Sequence, residues 1–249
     1  MPFIELQSVD STNNYARSLV SEGLAPDRTA VFAHDQWAGK GQRGHNWLSE
    51  KSANIILSIL ANTSGLAISD QFAVSMLTAV TLHDFFNEKT NGNCSIKWPN
   101  DLYWQDRKAG GILIENIIRG DNSSSAWEWT IVGIGVNINQ QSFSPVLRNP
   151  VSLMQITGKI YDPVALATEL FESWQINFDK FRSSGPDHFV EAYNRDLYKK
   201  EETVRFKKDN RIFEAIVKRV QPDGKLVLQH GIEEEFGFGD LEWLLTSTT

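Results

Sequence analysis

Two lysines, Lys97 and Lys108, are by type the side chains best suited to chemistry here, and an Asn100-Asp101 pair stands between them. The stretch from Ser95 to Glu115 reads as strand, turn and strand. Apolar residues flank a break at Pro99, a polar turn runs from Gln105 to Lys108, and Gly110-Gly111 opens a β-branched run. The lysines are thus expected at opposite ends of a hairpin. Like charges drawn into one small sheet repel, and an anion between them relieves the repulsion. A phosphate or carboxylate is the implied ligand, although a two-stranded ribbon with solvated lysines fits the stretch equally well.

More cations lie upstream in Gly39-Lys40-Gly41-Gln42-Arg43-Gly44-His45-Asn46-Trp47, which satisfies G-x-G-x-x-G. A dinucleotide-binding turn needs a helix next and an acidic residue at the ribose distance. Instead Ser52 to Leu60 is an apolar, β-branched run, and Leu60 and Ala61 stand where the acid is required. The expectation is a mobile loop whose amides, with Lys40, Arg43 and His45, can close over phosphates. Trp47 offers a flat face on which a purine gains roughly 1 to 3 kcal/mol by stacking, with core packing the alternative for any one of eight Trp. No G-x-x-x-x-G-K-[ST] sequence occurs, so phosphate binding is not of the P-loop type.

Composition narrows the classes. The 249 residues, 41% hydrophobic and 22% charged, suffice for one large domain or a large and a small one. A net charge of -7 argues against a broad nucleic-acid or acidic-membrane footprint, so any cation cluster is local. The one cysteine, Cys94, rules out a disulfide framework and a Cys-based zinc site, and reads as a small buried hydrophobe. No basic leader or membrane-length apolar run is present, which points to the cytoplasm.

The positioning elements follow. Ile4 to Val9 reads as a strand, and Asp10-Ser11-Thr12-Asn13 caps a helix toward Ser21 that stops at Gly23. Its free N–H groups and the Ser11 and Thr12 hydroxyls can hold a polar ligand group, or serve only as a cap. Thr29 to His34 is a strand, and Ser69 to Glu88 is a core helix on which His83 has no metal-spaced partner. A polar turn spans Asp121 to Ser125. In Trp127 to Asn139, Val132, Ile134, Val136 and Ile138 share one strand face, while Gly133, Gly135, Asn137 and Asn139 share the other. The glycine face either clears room for a ligand or admits a close helix crossing. Helices follow from Asp162 to Phe181 and from Pro186 to Tyr198. Short strands at Thr203 to Lys207, Arg211 to Val220, Lys225 to His230 and Glu233 to Phe238 then suggest a small SH3-like barrel on a hinge, with His188 and His230 alone on the surface.

Ser11-Thr12-Asn13, the Gly39 to Trp47 loop, Lys97-Trp98-Pro99-Asn100-Asp101, Lys108 to Glu115 and Gly133-Ile134-Gly135-Val136-Asn137, in this order and spacing, resemble the biotin protein ligases, or biotin-[acetyl-CoA-carboxylase] ligases. The loop departs from the family's G-R-G-R-x-G-R at Lys40, Gln42 and His45, which weakens its planar, permanently charged contacts. The resemblance implies an α+β fold: a mixed, mainly antiparallel sheet backed by helices over residues 1–198, class II synthetase-like, and a small SH3-like domain over 199–249. It also implies activation of biotin by Mg-ATP to biotinyl-AMP, then transfer to a lysine of a biotin carboxyl carrier domain of a biotin-dependent carboxylase.

Carried over residue by residue, the resemblance makes Lys108, Asp101 and Lys97 catalytic. Lys108 bridges the biotin carboxylate and α-phosphate, and Asp101 orients or deprotonates the incoming lysine. Ser11, Thr12, Asn13, Gln36, Gly39, Lys40, Gly41, Gln42, Lys108 and Gly111 form the biotin pocket. Arg43, His45, Trp47, Lys97, Asn100 and Asn137 face ATP; no metal ligands are assigned. The chain starts almost directly at the catalytic segment, so the short, ligase-only form is expected, without specific nucleic-acid or membrane partners and with room for a homodimer. Sequence-selective, salt-resistant retention of DNA overturns that. The rivals are a lipoate or octanoate ligase or transferase of the same superfamily, and a non-catalytic biotin or nucleotide sensor.

Overall fold

The computed structural model describes residues 2–121 and 124–244; the polar turn expected over 121–125 lies outside the described residues at 122 and 123. Strands β1 (Phe3–Leu6), β2 (Thr29–Ala33), β3 (Ile55–Asn62), β4 (Cys94–Lys97), β5 (Asp101–Trp104), β6 (Arg107–Asp121) and β7 (Ser124–Val136) form one seven-stranded sheet. Their order is β1-β2-β3-β7-β6-β5-β4. Only β1 and β2 pair in parallel; the other neighbours are antiparallel, as the mixed sheet requires.

Helix α1 (Thr12–Ser21) lies on one face of this sheet, where Ala16 and Val20 bury against Val31, Leu60 and Ile131. The opposite face, carrying Val132, Ile134 and Val136, is covered by α2 (Gln71–Thr90), α4 (Pro163–Ser184) and α5 (Asp187–Arg195); a short α3 (Leu153–Thr157) lies just before α4. α2 is sandwiched between sheet and α4, so it is buried nearly all round. Its polar side chains are paired within the interior: Trp174 Nε1 donates to Thr78 Oγ1 at 3.0 Å and Asn177 Nδ2 to Thr81 Oγ1 at 2.9 Å.

The C-terminal strands β8 (Thr203–Lys208), β9 (Arg211–Val220), β10 (Leu226–His230), β11 (Ile232–Phe236) and β12 (Glu242–Trp243) form an antiparallel five-stranded sheet, order β11-β10-β9-β8-β12, consistent with an SH3-like unit. The two-residue β12 is too short to show a period and was not expected. The second sheet also shares the core of the first. Ring centroids run from Tyr103 to Tyr198 (5.0 Å), Tyr198 to Trp243 (6.0 Å) and Trp243 to Phe206 (4.8 Å).

Several local expectations are corrected. The Ser95 to Glu115 stretch is three strands, not one hairpin, because Trp98-Pro99-Asn100 makes a turn of its own before β5. The second helical segment ends at Arg195, short of Tyr198. His83 is buried, with Asp84 Oδ1 at 3.0 Å and Asp196 Oδ2 at 3.8 Å; the latter comes from a distant part of the chain. His230 is not alone but contacts Glu234 at 2.8 Å, and Cys94 is half-buried, its thiol pushed up to about 11 by desolvation.

Candidate active site

A cleft of about 790 Å³ opens on the α1 side of the large sheet. It is lined by every residue expected at the site except Gly39. Gly39 lies in a neighbouring groove instead: a Cβ there would come 2.4 Å from the Trp47 carbonyl oxygen and 2.5 Å from Gln36 Nε2. Gly39 is therefore required by the folding of the loop on itself, with Trp47 N–H donating to the Gly39 carbonyl at 2.9 Å.

One end of the cleft is built at the start of α1. Ser11 is the N-cap, yet its hydroxyl makes no capping bond, so cap chemistry is not what that side chain supplies. Ser11, Thr12 and Asn13 are 1%, 3% and 3% exposed, and β3 contributes Ser58, fully buried. Ser58 Oγ lies 2.8 Å from Thr12 Oγ1 and 2.6 Å from Asn13 Oδ1. Gln36 Oε1 accepts the Thr12 N–H at 2.9 Å. Asn13 Nδ2 donates to Glu115 Oε2 at 2.7 Å, and Arg17 pairs with Glu115 Oε1 at 3.1 Å. This end is thus a hydrogen-bonded, nearly neutral pocket.

The other end is cationic. The β4–β5 register sets Lys97 opposite Asp101, and the β5–β6 register sets Gly111 opposite Asp101. A register shift between Leu102 and Tyr103 then pairs Tyr103 with Lys108, leaving Ala109 as the extra residue on β6. Without that bulge Lys108 and Gly111, three positions apart, fall on opposite faces; with it, both face the cleft alongside Lys97 and Asp101. Lys108 Nζ sits 2.6 Å from Asp101 Oδ1. Among the described residues no carboxylate lies in salt-bridge range of Lys97 Nζ; it donates to Tyr103 Oη at 3.2 Å and lies 4.9 Å and 5.6 Å from the Tyr103 and Trp243 ring centres. Burial, aided by Lys108 and Arg148 and opposed by Asp101, holds its pKa below the ordinary lysine value.

Between the two ends lies Trp47. A Cβ on Gly135 would come 2.5 Å from its indole, and one on Gly133 would come 2.5 Å from Asn13 Oδ1. The glycine face of β7 therefore clears room for two of the chain's own side chains: at Gly133 it is the close crossing of α1, and at Gly135 the indole of the loop. Trp47 Nε1 is buried without a partner among the described residues, and Lys108 Nζ lies 6.0 Å from the ring. Asn100 and Asn137 spend their amide N–H groups on backbone: Asn100 Nδ2 on the Ile112 carbonyl at 2.6 Å, Asn137 Nδ2 on the Val151 carbonyl at 3.1 Å. Both pin the strands that carry Lys108. In the glycine loop, which contains a single 3₁₀ turn at Gln42–Gly44, Lys40 Nζ donates to Asn14 Oδ1 and hooks the loop to α1.

Sequence reasoning missed Ser58, Glu115, Arg148 and the C-terminal contribution. Ser58 carried a signal, a lone hydroxyl in the apolar Ile55 to Leu60 run, and Glu115 another, a carboxylate ending an apolar one. Arg148 and Glu242, which pair at 3.4 Å, and Trp243 reach the cleft from segments without any pattern, and Phe238 from the end of an expected strand. Arg43 packs on Gly239, so the loop touches the connection between β11 and β12.

The chain is similar to proteins of one family. Residues 5–137 match the model of the biotin/lipoate A/B protein ligase family. The chain is 30% identical over 185 residues to the biotin--[acetyl-CoA-carboxylase] ligase of Paracoccus denitrificans, covering 71% of this chain and 74% of that protein. It is 28% identical over 242 residues to the bifunctional ligase/repressor BirA of Escherichia coli, covering 95% of this chain and 72% of that one. In fold it is similar to the biotin protein ligase of Aquifex aeolicus in complex with biotin and ATP: TM-score 0.78, 23% identity, 97% of this chain and 98% of the other. The chain belongs to the biotin/lipoate A/B protein ligase family.

Proposed function

We propose that the protein is an ATP-dependent biotin protein ligase, which forms biotinyl-5'-AMP and transfers the biotinyl group to a lysine of a carrier domain of a biotin-dependent carboxylase. One observation carries this reading: Lys108, held 2.6 Å from Asp101, stands between the neutral pocket at α1 and the cationic pocket at β4 and β5. A ligand with an uncharged polar ring at one end and an acyl phosphate at the other fits that sequence of environments. In the first step a biotin carboxylate oxygen attacks the α-phosphorus, and the bond to pyrophosphate breaks. Lys108 screens the approaching anions, while Lys97, Arg43 and His45 hold the phosphates; such positioned charge is most of what phosphoryl transfer needs. In the second, the acceptor amine attacks the acyl carbon, the anhydride C–O bond breaks and AMP leaves.

Asp101 is assigned to orienting the acceptor lysine or taking its proton. Its Oδ1 is engaged by Lys108, so Oδ2 is the oxygen left for that task. A free lysine has a pKa near about 10.4, so an adjacent acceptor matters at neutral pH. Magnesium belongs with ATP as substrate: the cleft carboxylates Asp101 and Glu242 are each paired with a cation, and the only grouping of three metal-capable ligands among the described residues, His83, Asp84 and Asp196, lies outside the cleft. The divisions 1–198 and 199–249 remain the proposed domain units, with the second closing the phosphate end through Trp243. Biotin-dependent exchange of ATP and pyrophosphate tests the reading. Wild type supports exchange with biotin, lipoate is rejected by roughly 10⁴-fold because the polar end is left unpaired, and Lys108→Ala abolishes exchange.

A further inference from the structure

The neutral end of the cleft contains more order than its contacts alone require. Glu115, a carboxylate paired with Arg17 at 3.1 Å, offers only acceptors. Asn13 must therefore turn Nδ2 toward it, as the 2.7 Å contact has it, which points Asn13 Oδ1 at Ser58. Oδ1 can only accept, so the single Ser58 proton is committed to it. The Thr12 proton has two acceptors in reach, Ser58 Oγ at 2.8 Å and Gln36 Oε1 at 3.3 Å, and the shorter contact takes it, so Thr12 donates to Ser58. Thr12 Oγ1 is left with lone pairs and no proton to offer. Gln36 is oriented by the Thr12 backbone, since its Oε1 accepts the Thr12 N–H at 2.9 Å, and Nε2 remains as donor.

We infer that Glu115 and Ser58 are positioning residues whose relay, Glu115 to Asn13 to Ser58 to Thr12, fixes the proton polarity of the pocket. The pocket thereby presents a hydroxyl acceptor and an amide donor side by side, the complement of a cyclic urea with its N–H and C=O groups. This rests on the biotin reading. Neither residue touches the ligand. A neutral amide at position 115 can donate instead of accept, which lets Asn13 turn over, Ser58 donate to Thr12, and Thr12 point its own proton at the ligand's N–H.

The test is a double-mutant cycle on the full chain, with biotin affinity measured by calorimetry in the absence of ATP and the KM for ATP measured at saturating biotin. Glu115→Gln is expected to weaken biotin roughly 10- to 100-fold, the cost of an unmatched buried polar contact, while the KM for ATP and the melting temperature stay close to wild type. Ser58→Ala is expected to weaken biotin as well. In the Ser58→Ala background Glu115→Gln should add less than about twofold, because the path between them is cut. Additive losses, or a parallel rise in the KM for ATP, overturn the relay in favour of a general packing role. If Glu115→Gln does not fold, an unchanged biotin affinity in Ser58→Ala still overturns it. Wild type that binds biotin alongside an unaffected Glu115→Gln sinks the relay and leaves the biotin reading intact; wild type that does not bind biotin sinks both.

Discussion

The two ends of the cleft solve recognition in opposite ways. At α1, Thr12, Asn13, Ser58 and Gln36 orient one another before any ligand arrives, and the carboxylate that Asn13 donates to, Glu115, is balanced by Arg17. At β4 and β5, Lys97, Lys108, Arg43 and Arg148 face only Asp101 and Glu242. A neutral ring is recognised best by dipoles already turned the right way, since nothing has to reorganise on binding. An anion is recognised by charge that the protein has not fully compensated, and the protein bears the cost of holding it, visible in the depressed pKa of Lys97.

The largest effect that separates the ends is expected from Lys108→Ala. Losing the cation at the centre of the charge transfer costs about 3 to 4 kcal/mol at the transition state by comparison with loss of an oxyanion donor. Pyrophosphate exchange should collapse while the melting temperature barely moves. Next, Gly133→Ala places a Cβ 2.5 Å from Asn13 Oδ1, where the helix start must give way. The expected cost is about 1 to 3 kcal/mol, by analogy with overpacking, read in biotin affinity and not in the KM for ATP. The same loss in both parameters erases the distinction between the ends.

A third prediction concerns pH. Lys97 has its folded pKa below the ordinary 10.5, so in the window between that lowered value and 10.5 the unfolded chain binds more protons than the folded one. Stability gains from this group as pH rises through that window, while below it the folded state carries the full cost of the buried ammonium. Function runs the other way: the KM for ATP should rise through the lowered pKa as the cation is lost. Lys97→Arg, whose guanidinium does not titrate there, should flatten that limb. The smallest effect is expected from Tyr103→Phe, which removes the hydroxyl 3.2 Å from Lys97 Nζ. A loss of about 0.5 to 1.5 kcal/mol, the worth of one hydrogen bond, should appear in the KM for ATP alone.

Much of this was legible in order along the chain. Cap and stop residues placed α1, apolar residues at helical spacing placed α2 and α4, each to within a few residues, and the alternation of Val132, Ile134 and Val136 located the central strand. These are local patterns, and burial of one face enforces them. The polar relay was half legible: Thr12 and Asn13 stood at a helix start, but Glu115 joins Asn13 across a separation of 102 residues. The phosphate end was less so, because Trp243, Arg148 and Glu242 gain meaning only from where the second sheet docks.

By itself the sequence determined which residue types were available: two lysines beside an Asn-Asp pair, a cationic glycine loop, and a strand with one bare face. It also determined the strands that carry them, since apolar periodicity needs no partner to be read. Tertiary structure decided which of those residues meet. Lys108 faces Asp101 and Gly111 because β6 spends Ala109 in a bulge against β5, and a bulge is a property of paired strands that neither strand announces alone. Trp243 reaches Lys97 because the two sheets share one aromatic core, a contact made by packing between elements and not by spacing within one.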